Sequence, residues 1–187
     1  VTAKKKGSTI IELRIAGSNI MASVNVTVNS EFVIENRQLV AYKGLGGEVI
    51  IPDDEGILYI GAYAFCLYET DQTMELPEDD YDANKIPSMN TSITKVVIPE
   101  GVEEIQKYAF YNCIHLKEVV IPDSMKFIRE YAFYKTEIQE IDLKKSKLIG
   151  AFAFAECGQL QTVVMPEMYA IGRRAFENCV NLERLTI

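Results

Sequence analysis

A short apolar run recurs six times along the chain, with apolar residues at its first and third positions. The runs are Val49-Ile50-Ile51, Val96-Val97-Ile98, Val119-Val120-Ile121, Ile141-Asp142-Leu143, Val163-Val164-Met165 and Leu185-Thr186-Ile187. In a strand, the first and third residues face one side and the second faces the other. Proline follows four of the six runs and ends a strand, because it has no N–H to continue a ladder. The pattern predicts six short strands, each with two inward residues and one outward residue.

A second pattern, an Ala-Phe pair, alternates with these runs. The phenylalanines are Phe65, Phe110, Phe133, Phe154 and Phe176, and an isoleucine precedes each of them by five residues. The last four are spaced by 23, 21 and 22 residues, and the first interval of 45 is close to two periods. A fixed period of this length is typical of solenoids, in which stacked units bury continuous apolar columns. The apolar spacing from Ile128 to Phe133 suits a helical turn or a short helix. We therefore predict an α/β solenoid, with a short parallel sheet on one face and short helices or turns on the other.

The repeat also resembles a known family. Its pattern I-x-x-Y-A-F-x-x-C-x-x-L-x-x-V-x-I-P is clear in residues 105–122 and 171–187. It resembles the BspA-type leucine-rich repeat of bacterial surface proteins, over roughly residues 32–187. The resemblance implies a leucine-rich-repeat solenoid at the cell surface or outside the cell, in a family usually described as adhesins or surface-exposed interaction proteins. The fourth unit departs from the pattern, because its strand lacks the proline and its turn, Lys144-Lys145-Ser146-Lys147, is basic.

The residues before the repeats differ in kind. Alternating apolar residues within 1–29, with Gly17-Ser18-Asn19 between them, predict a β-hairpin. This stretch resembles the last strands of a group-2 bacterial Ig-like domain, which implies a domain remnant. Residues 30–48 are predicted to form a second hairpin that caps the repeats of residues 49–187. Because the chain begins at Val1 without a methionine or signal peptide and stops on a strand, we expect an excised or processed fragment.

An acidic insertion at residues 67–89 explains the long first interval. Its carboxylates include Asp79, Asp80 and Asp82. Asp80-x-Asp82-x-Asn84 has the opening spacing of an EF-hand calcium loop, but Lys85 stands where the loop requires glycine and Thr91 where it requires glutamate. A solvated acidic loop is therefore the favoured interpretation.

Composition and charge argue against several functions. The chain has 27 acidic and 19 basic residues and a net charge of −8, which disfavours a nucleic-acid partner. No apolar stretch approaches the ~20 residues of a membrane span, so we expect no membrane insertion of this segment. No Ser/His/Asp or Cys/His set and no phosphate-binding loop is present. We expect no enzyme activity and no cofactor.

Four cysteines and one histidine are the candidate metal ligands. Cys113, Cys157 and Cys179 each follow the repeat phenylalanine by three residues and therefore share a column. Buried free thiols are favoured over a disulfide between Cys157 and Cys179. Zinc ranks last, because the chain lacks a C-x-x-C motif and His115 is its only histidine. We expect no metal site.

The outward strand positions are the candidate binding surface. Most are apolar and β-branched, which suits strands in general but also forms a contiguous stripe of the kind found at interaction faces. With their flanking residues and the acidic insertion, the candidates are Ile50, Lys95, Val97, Glu118, Val120, Glu140, Asp142, Thr162, Val164, Asp79, Asp80 and Asp82. The predicted function is a non-catalytic module that binds a protein or glycan. The alternative is a structural spacer or self-associating segment; a monomer is favoured over an oligomer.

A second column, immediately before each Ala-Phe pair, carries an aromatic residue in four of five units. The column consists of Tyr63, Tyr108, Tyr131, Phe152 and Arg174. Stacked rings at these positions would either face a ligand or form a structural ladder. The structural interpretation is favoured.

Overall fold

The computed structural model describes residues 7–14, 21–28, 31–65 and 92–187. The chain divides into two compact units, Val1–Glu31 and Phe32–Ile187. In the first unit, strands β1 (Gly7–Arg14) and β2 (Met21–Val28) pair antiparallel over their full length. This pair is the hairpin that the alternating apolar residues predict.

The second unit opens with another antiparallel hairpin. Its strands are β3 (Phe32–Glu35) and β4 (Gln38–Tyr42). Asn36 and Arg37 between them have φ values of 49° and 65°. Two consecutive residues with positive φ suit the tight turns whose twist matches that of the flanking strands. The hairpin predicted within residues 30–48 is therefore present.

Each coil of the solenoid contributes two strands. In chain order they are β5 (Gly47–Ile50), β6 (Tyr59–Ile60), β7 (Ile93–Val97), β8 (Glu104–Ile105), β9 (Glu118–Val120), β10 (Phe127–Ile128), β11 (Glu140–Asp142), β12 (Leu148–Ile149), β13 (Thr162–Val164), β14 (Ala170–Ile171) and β15 (Arg184–Thr186). From β5 onward, the odd-numbered strands form two parallel groups, β5-β7-β9 and β11-β13-β15. Together we call these two groups the first sheet. The two-residue strands and the β3–β4 hairpin form the second sheet, ordered β14-β12-β10-β8-β6-β4-β3. The architecture is a β-solenoid of the leucine-rich-repeat type.

The predicted short helices, and with them the α/β class, are wrong for the described part of the chain, in which every regular element is a strand. Ile128 is the first residue of the segment whose spacing suits a helix, but in the structure it is the last residue of β10. Tyr131 has φ 57°, whereas a right-handed helix requires φ near −63°. A two-residue strand followed by turns takes the place of the helix.

The backbone hydrogen bonds of the equivalent segment one coil earlier, residues 105–112, show why these segments are not helical. The N–H groups of Tyr108, Phe110 and Asn112 donate to carbonyls of the next coil, at 3.2, 2.8 and 2.9 Å. The N–H groups of the intervening residues donate to carbonyls three residues earlier in their own coil. A helix needs every N–H to reach back four residues. The ladder between coils therefore uses the donors that a helix would need.

The core consists of the inward columns that the sequence predicts. Val119 and Ile121 are 6% and 3% exposed, whereas Val120 between them is 41% exposed. Phe65, Phe110, Phe133 and Phe154 are fully buried, and their rings stack in sequence with centroid distances of 4.4, 5.0 and 5.1 Å. Stacking neighbouring units thus makes each apolar column continuous.

One buried position of the core carries a hydroxyl without a partner. Ser146 is fully buried, and its N–H donates three residues back, as do those of Met125 and Met168 at the same place in neighbouring coils. Its Oγ forms no hydrogen bond. Since a buried unpaired hydroxyl is destabilising, Ser146→Ala is expected to raise the free energy of unfolding by about 1 kcal/mol in urea denaturation.

The same substitution at Ser124 provides the matched control. The Ser124 hydroxyl donates to the Val102 carbonyl at 2.9 Å and accepts from the Gly101 N–H at 2.9 Å. Ser124→Ala is expected to lower the free energy of unfolding by about 1 kcal/mol. Changes of the same sign in the two variants would contradict the assigned hydrogen bonding.

Candidate interaction surface

The first sheet brings the outward candidates into two parallel rows. Its register aligns Glu48 with Lys95 and Glu118, and Ile50 with Val97 and Val120. In the second group of strands, Glu140 aligns with Thr162, and Asp142 with Val164. We call these outward side chains the strand face; they are Glu48, Ile50, Lys95, Val97, Glu118, Val120, Glu140, Asp142, Thr162, Val164, Arg184 and Thr186.

Part of the strand face is an exposed apolar row. Ile50 is 64% exposed and Val120 is 41% exposed, and half-buried Val97 lies between them. Neighbouring strands of a sheet are ~4.8 Å apart, so the three side chains form one continuous stripe. Asp142, which is exposed, stands in the corresponding place of the next coil. The apolar row therefore spans β5, β7 and β9 and ends at β11.

Asp142 is held by the turn that follows it. Its carboxylate accepts a hydrogen bond from the Lys144 N–H at 3.0 Å and pairs with the Lys144 ammonium at 2.8 Å. Desolvation opposes ionisation of Asp142, but the hydrogen bonds from Lys144 outweigh it and lower the pKa of this carboxyl below its ordinary value. Lys144 has φ 51°. The Asp142 side chain thus supports the turn of the fourth run, where Lys144 stands in place of the proline.

A lysine between two glutamates occupies the row beside the apolar stripe. The Lys95 ammonium lies 3.0 Å from the Glu118 carboxylate and 3.4 Å from that of Glu48. The hydrogen bonds that the Lys95 ammonium donates to Glu118 first, and then to Glu48, raise the pKa of Lys95. Exposed pairs of this kind contribute little stability. The three side chains together retain one negative charge.

The turns after the strands place further carboxylates on the other side of the apolar stripe. Glu100 accepts hydrogen bonds from the N–H groups of Asp123 and Ser124, at 2.9 and 3.2 Å. Asp123 pairs with Lys145 at 3.3 Å. Neither Glu100 nor Asp123 is among the residues that the sequence analysis proposes for the binding surface. The signal that identifies them is an acid directly after the proline in consecutive units, as in Pro99-Glu100 and Pro122-Asp123.

The aromatic column before the Ala-Phe pairs is a stacked ladder. Tyr63, Tyr108, Tyr131 and Phe152 stack in sequence with centroid distances of 5.0, 5.1 and 5.0 Å. The Arg174 guanidinium lies 5.8 Å from the Phe152 ring centroid. All five residues have φ between 56° and 60°, which is unfavourable for large side chains unless the surroundings hold it. Since neighbouring rings engage the faces of Tyr108 and Tyr131, the geometry favours a structural ladder.

The described cysteines are free thiols, and two of them bond to backbone carbonyls. Cys157 donates to the Phe133 carbonyl and Cys179 to the Phe154 carbonyl, both at 3.1 Å. Burial raises the pKa of Cys113 and of Cys179 to about 12, and also raises that of Cys157. Because the thiolate is the reactive form of cysteine, these thiols are poor nucleophiles and poor metal ligands.

The raised thiol pKa values lead to a measurable prediction. Cys66 lies outside the described residues, so the test uses the Cys66→Ser variant. At mildly alkaline pH, its native form is expected to react with a thiol-exchange reagent at least about 100-fold more slowly than its urea-unfolded form. The measurement is the rate of absorbance change. Similar rates for the two forms would contradict the burial and protonation of these thiols.

The remaining candidate ligands are dispersed. His115 is exposed and lies 3.9 Å from the Glu137 carboxylate. Within residues 31–65 and 92–187, no group of three or more His, Cys, Asp or Glu side chains is placed to hold a metal ion. Asp79, Asp80 and Asp82 lie outside the described residues, so their role in binding remains a prediction.

A comparison with known families identifies the repeat. A family model for the BspA type leucine rich repeat region, in six copies, matches residues 86–187. The chain belongs to the BspA-type leucine-rich repeat family. The matches indicate no catalytic family. No curated protein sequence matches this BspA-type chain.

Solved structures of leucine-rich-repeat proteins resemble this BspA-type chain. The T. pallidum leucine-rich-repeat protein TpLRR has 26% identity and a TM-score of 0.63, with 78% of this chain and 60% of that protein covered. The pneumococcal vaccine antigen PcpA has 17% identity and a TM-score of 0.50, with 97% of this chain and 49% of that protein covered. The chain thus spans 49% to 60% of the length of these proteins, and the likeness to PcpA concerns the fold alone. Across the described residues, no helix has the length and apolar character that crossing a membrane requires.

Proposed function

We propose that this BspA-type chain is a non-catalytic interaction module, at the cell surface or secreted, that binds a protein or glycan through the strand face. The observation that carries the proposal is the exposed apolar row of Ile50, Val97 and Val120 across three consecutive coils. A contiguous exposed apolar stripe with polar residues on its borders is characteristic of interaction surfaces. The family resemblance to bacterial surface proteins supports the location.

The regular backbone beneath the row supports binding as well. Parallel strands hold the three side chains at fixed spacing, so little conformational freedom is lost when a ligand packs on them. The aromatic ladder differs in this respect, because its ring faces are already engaged by one another. We include Asp79, Asp80 and Asp82 in the proposed surface, because insertions in solenoids commonly emerge as functional loops.

A structural spacer or self-associating segment is the second candidate. It is favoured by the exposed side chains of Ile50 and Val120 on the first sheet, which a second copy of the chain would cover as well as a ligand would. Light scattering across a wide concentration range distinguishes the candidates: we expect a monomer, and a concentration-dependent increase in mass would favour self-association.

For the first unit, we propose that residues 1–29 are the end of a bacterial Ig-like domain. The sequence resemblance and the antiparallel pairing of β1 with β2 support this proposal. It makes the interaction module one part of a multidomain surface protein.

The interaction function is tested on arrays of purified extracellular-matrix proteins and glycans. The chain is expected to bind at least one component, and the double variant Val97→Ser with Val120→Ser is expected to bind it at least about 10-fold more weakly. Leu148→Ser, at a half-buried position of the second sheet, is the matched control and should leave binding unchanged. A ligand that binds the native chain and the double variant equally would contradict the proposed surface.

A further inference from the structure

The apolar row of the strand face lies between two rows of carboxylates. On the side where the strands begin, Glu48 and Glu118 are aligned around Lys95. On the side where the strands end, Glu100 and Asp123 occupy the turns after the prolines. The exposed stripe of Ile50, Val97 and Val120 therefore has acidic borders on both sides.

Much of this negative charge is not neutralised within the chain. Lys95 is shared by two glutamates, which leaves one negative charge. Glu100 accepts its hydrogen bonds from backbone N–H groups, which are neutral and leave its charge in place. Asp123 is paired with Lys145, at an exposed site where pairing is weak and exchangeable. The four carboxylates and two ammonium groups of these borders thus carry a net formal charge of −2, within a chain whose net charge is −8.

From this complementarity we infer that the strand face over β5, β7 and β9 binds a basic, extended segment of a protein partner. Aliphatic side chains of the segment pack on Ile50, Val97 and Val120, and its lysine or arginine side chains pair with the flanking carboxylates. The inference rests on the proposed function and names the class of ligand. Lysine and arginine suit the site, because their apolar stems cover the row while their charged ends reach the borders. Acidic glycans and acidic proteins are repelled by the same charges.

Synthetic peptides test this chemistry directly on the full chain. An extended peptide of about eight residues covers ~26 Å, enough to cross the row and its neighbouring coils. The main probe, a lysine–valine peptide, repeats Lys-Lys-Val-Val, so that each side of the extended peptide carries both residue types. One control replaces every lysine by glutamate, and the other replaces every valine by serine. The lysine–valine peptide is expected to bind at least about 10-fold more tightly than either control, and added salt is expected to weaken it.

Two charge variants at the border have opposite expected effects. Glu118→Gln removes a carboxylate and is expected to weaken binding of the lysine–valine peptide by about 3-fold. Lys95→Met removes the neutralising ammonium but keeps most of the side-chain stem, and is expected to strengthen binding by about 3-fold. Glu137→Gln, in a different column of the solenoid, should change nothing. These opposite shifts are not expected from general loss of folding, which would weaken binding in every variant.

The possible outcomes separate this inference from the proposed function. The inference of a basic ligand would be overturned if Lys95→Met bound the lysine–valine peptide no more tightly than the native chain does. Equal affinities of the lysine and glutamate peptides for the native chain would overturn it as well. A different result is that the double variant Val97→Ser with Val120→Ser abolishes binding of an array ligand whose affinity is unchanged in both charge variants. That result would support the proposed function and contradict a basic ligand. Unchanged binding of the lysine–valine peptide by that double variant would overturn this inference, and unchanged binding of the array ligand as well would overturn both.

Discussion

Replacing Phe110 by alanine is expected to lower the free energy of unfolding by about 3–5 kcal/mol. The Phe110 side chain is fully buried, and its ring stacks between those of Phe65 and Phe133, with centroid distances of 4.4 and 5.0 Å. Its removal leaves a cavity inside a column that holds three successive coils together, and the stacked rings on both sides cannot close it without moving their own coils. Urea denaturation followed by circular dichroism measures the change.

Phe127→Ala is the control for this substitution. Phe127 lies in β10, is half-buried, and has the Arg129 guanidinium 4.9 Å from its ring centroid. Phe127→Ala should lower the free energy of unfolding by about 1 kcal/mol, because the half-buried Phe127 ring contributes much less buried apolar area than Phe110 does. Equal effects of Phe110→Ala and Phe127→Ala would show that the phenylalanine column is not the core of the solenoid.

Gly150→Ala is expected to lower the free energy of unfolding by about 2–3 kcal/mol, although it adds only one methyl group. A Cβ atom at Gly150 would lie 2.5 Å from the Glu130 nitrogen and 2.6 Å from the Arg129 carbonyl carbon. Both atoms belong to the backbone of the preceding coil, so a flexible side chain cannot absorb the clash. The two coils must separate, which weakens the hydrogen bond of 2.7 Å from the Gly150 N–H to the Ile128 carbonyl.

Gly158→Ala tests whether close approach, and not the loss of glycine as such, causes this effect. A Cβ atom at Gly158 would meet nothing within 4 Å. The substitution is therefore expected to change the free energy of unfolding by less than about 1 kcal/mol. Alanine also restricts the unfolded chain, which acts in favour of the folded state. Melting curves of the two variants provide the measurement. A destabilisation by Gly158→Ala as large as that by Gly150→Ala would contradict the close approach of the coils.

Strand positions and core columns were predictable because their signals are local. In Val119-Val120-Ile121 the alternation of two inward residues and one outward residue follows from strand geometry alone. The recurrence of Phe110 and its equivalents at a fixed period gave the stacking of units. Neither step required knowledge of how far apart the coils lie.

The failed prediction of helices has a nonlocal cause. The spacing from Ile128 to Phe133 fits a helical turn as well as a short strand followed by a turn. The outcome depends on Tyr131, whose left-handed backbone accompanies stacking on Tyr108 and Phe152 in the coils on either side. Contacts between coils therefore override the local preference, and a single unit read by itself does not contain them.

The candidate surface was predictable in part. The outward apolar positions follow from the triplets, whereas the acidic borders depend on the register between coils. Glu100 and Asp123 are separated by 23 residues, yet the Glu100 carboxylate reaches the Asp123 N–H at 2.9 Å. The need for glycine at position 150 is equally hidden, because Arg129 occupies the preceding unit at the same place in the ladder.

The central claim, that the strand face carries the binding function, is tested most directly by site-specific photo-crosslinking. A photoreactive amino acid is placed at Val120 on the strand face or, in a matched chain, at Leu148 on the second sheet. Each chain is irradiated with a ligand identified on the arrays. A covalent adduct is expected from position 120, and little or none from position 148. Adducts from position 148 alone would contradict a binding site on the strand face.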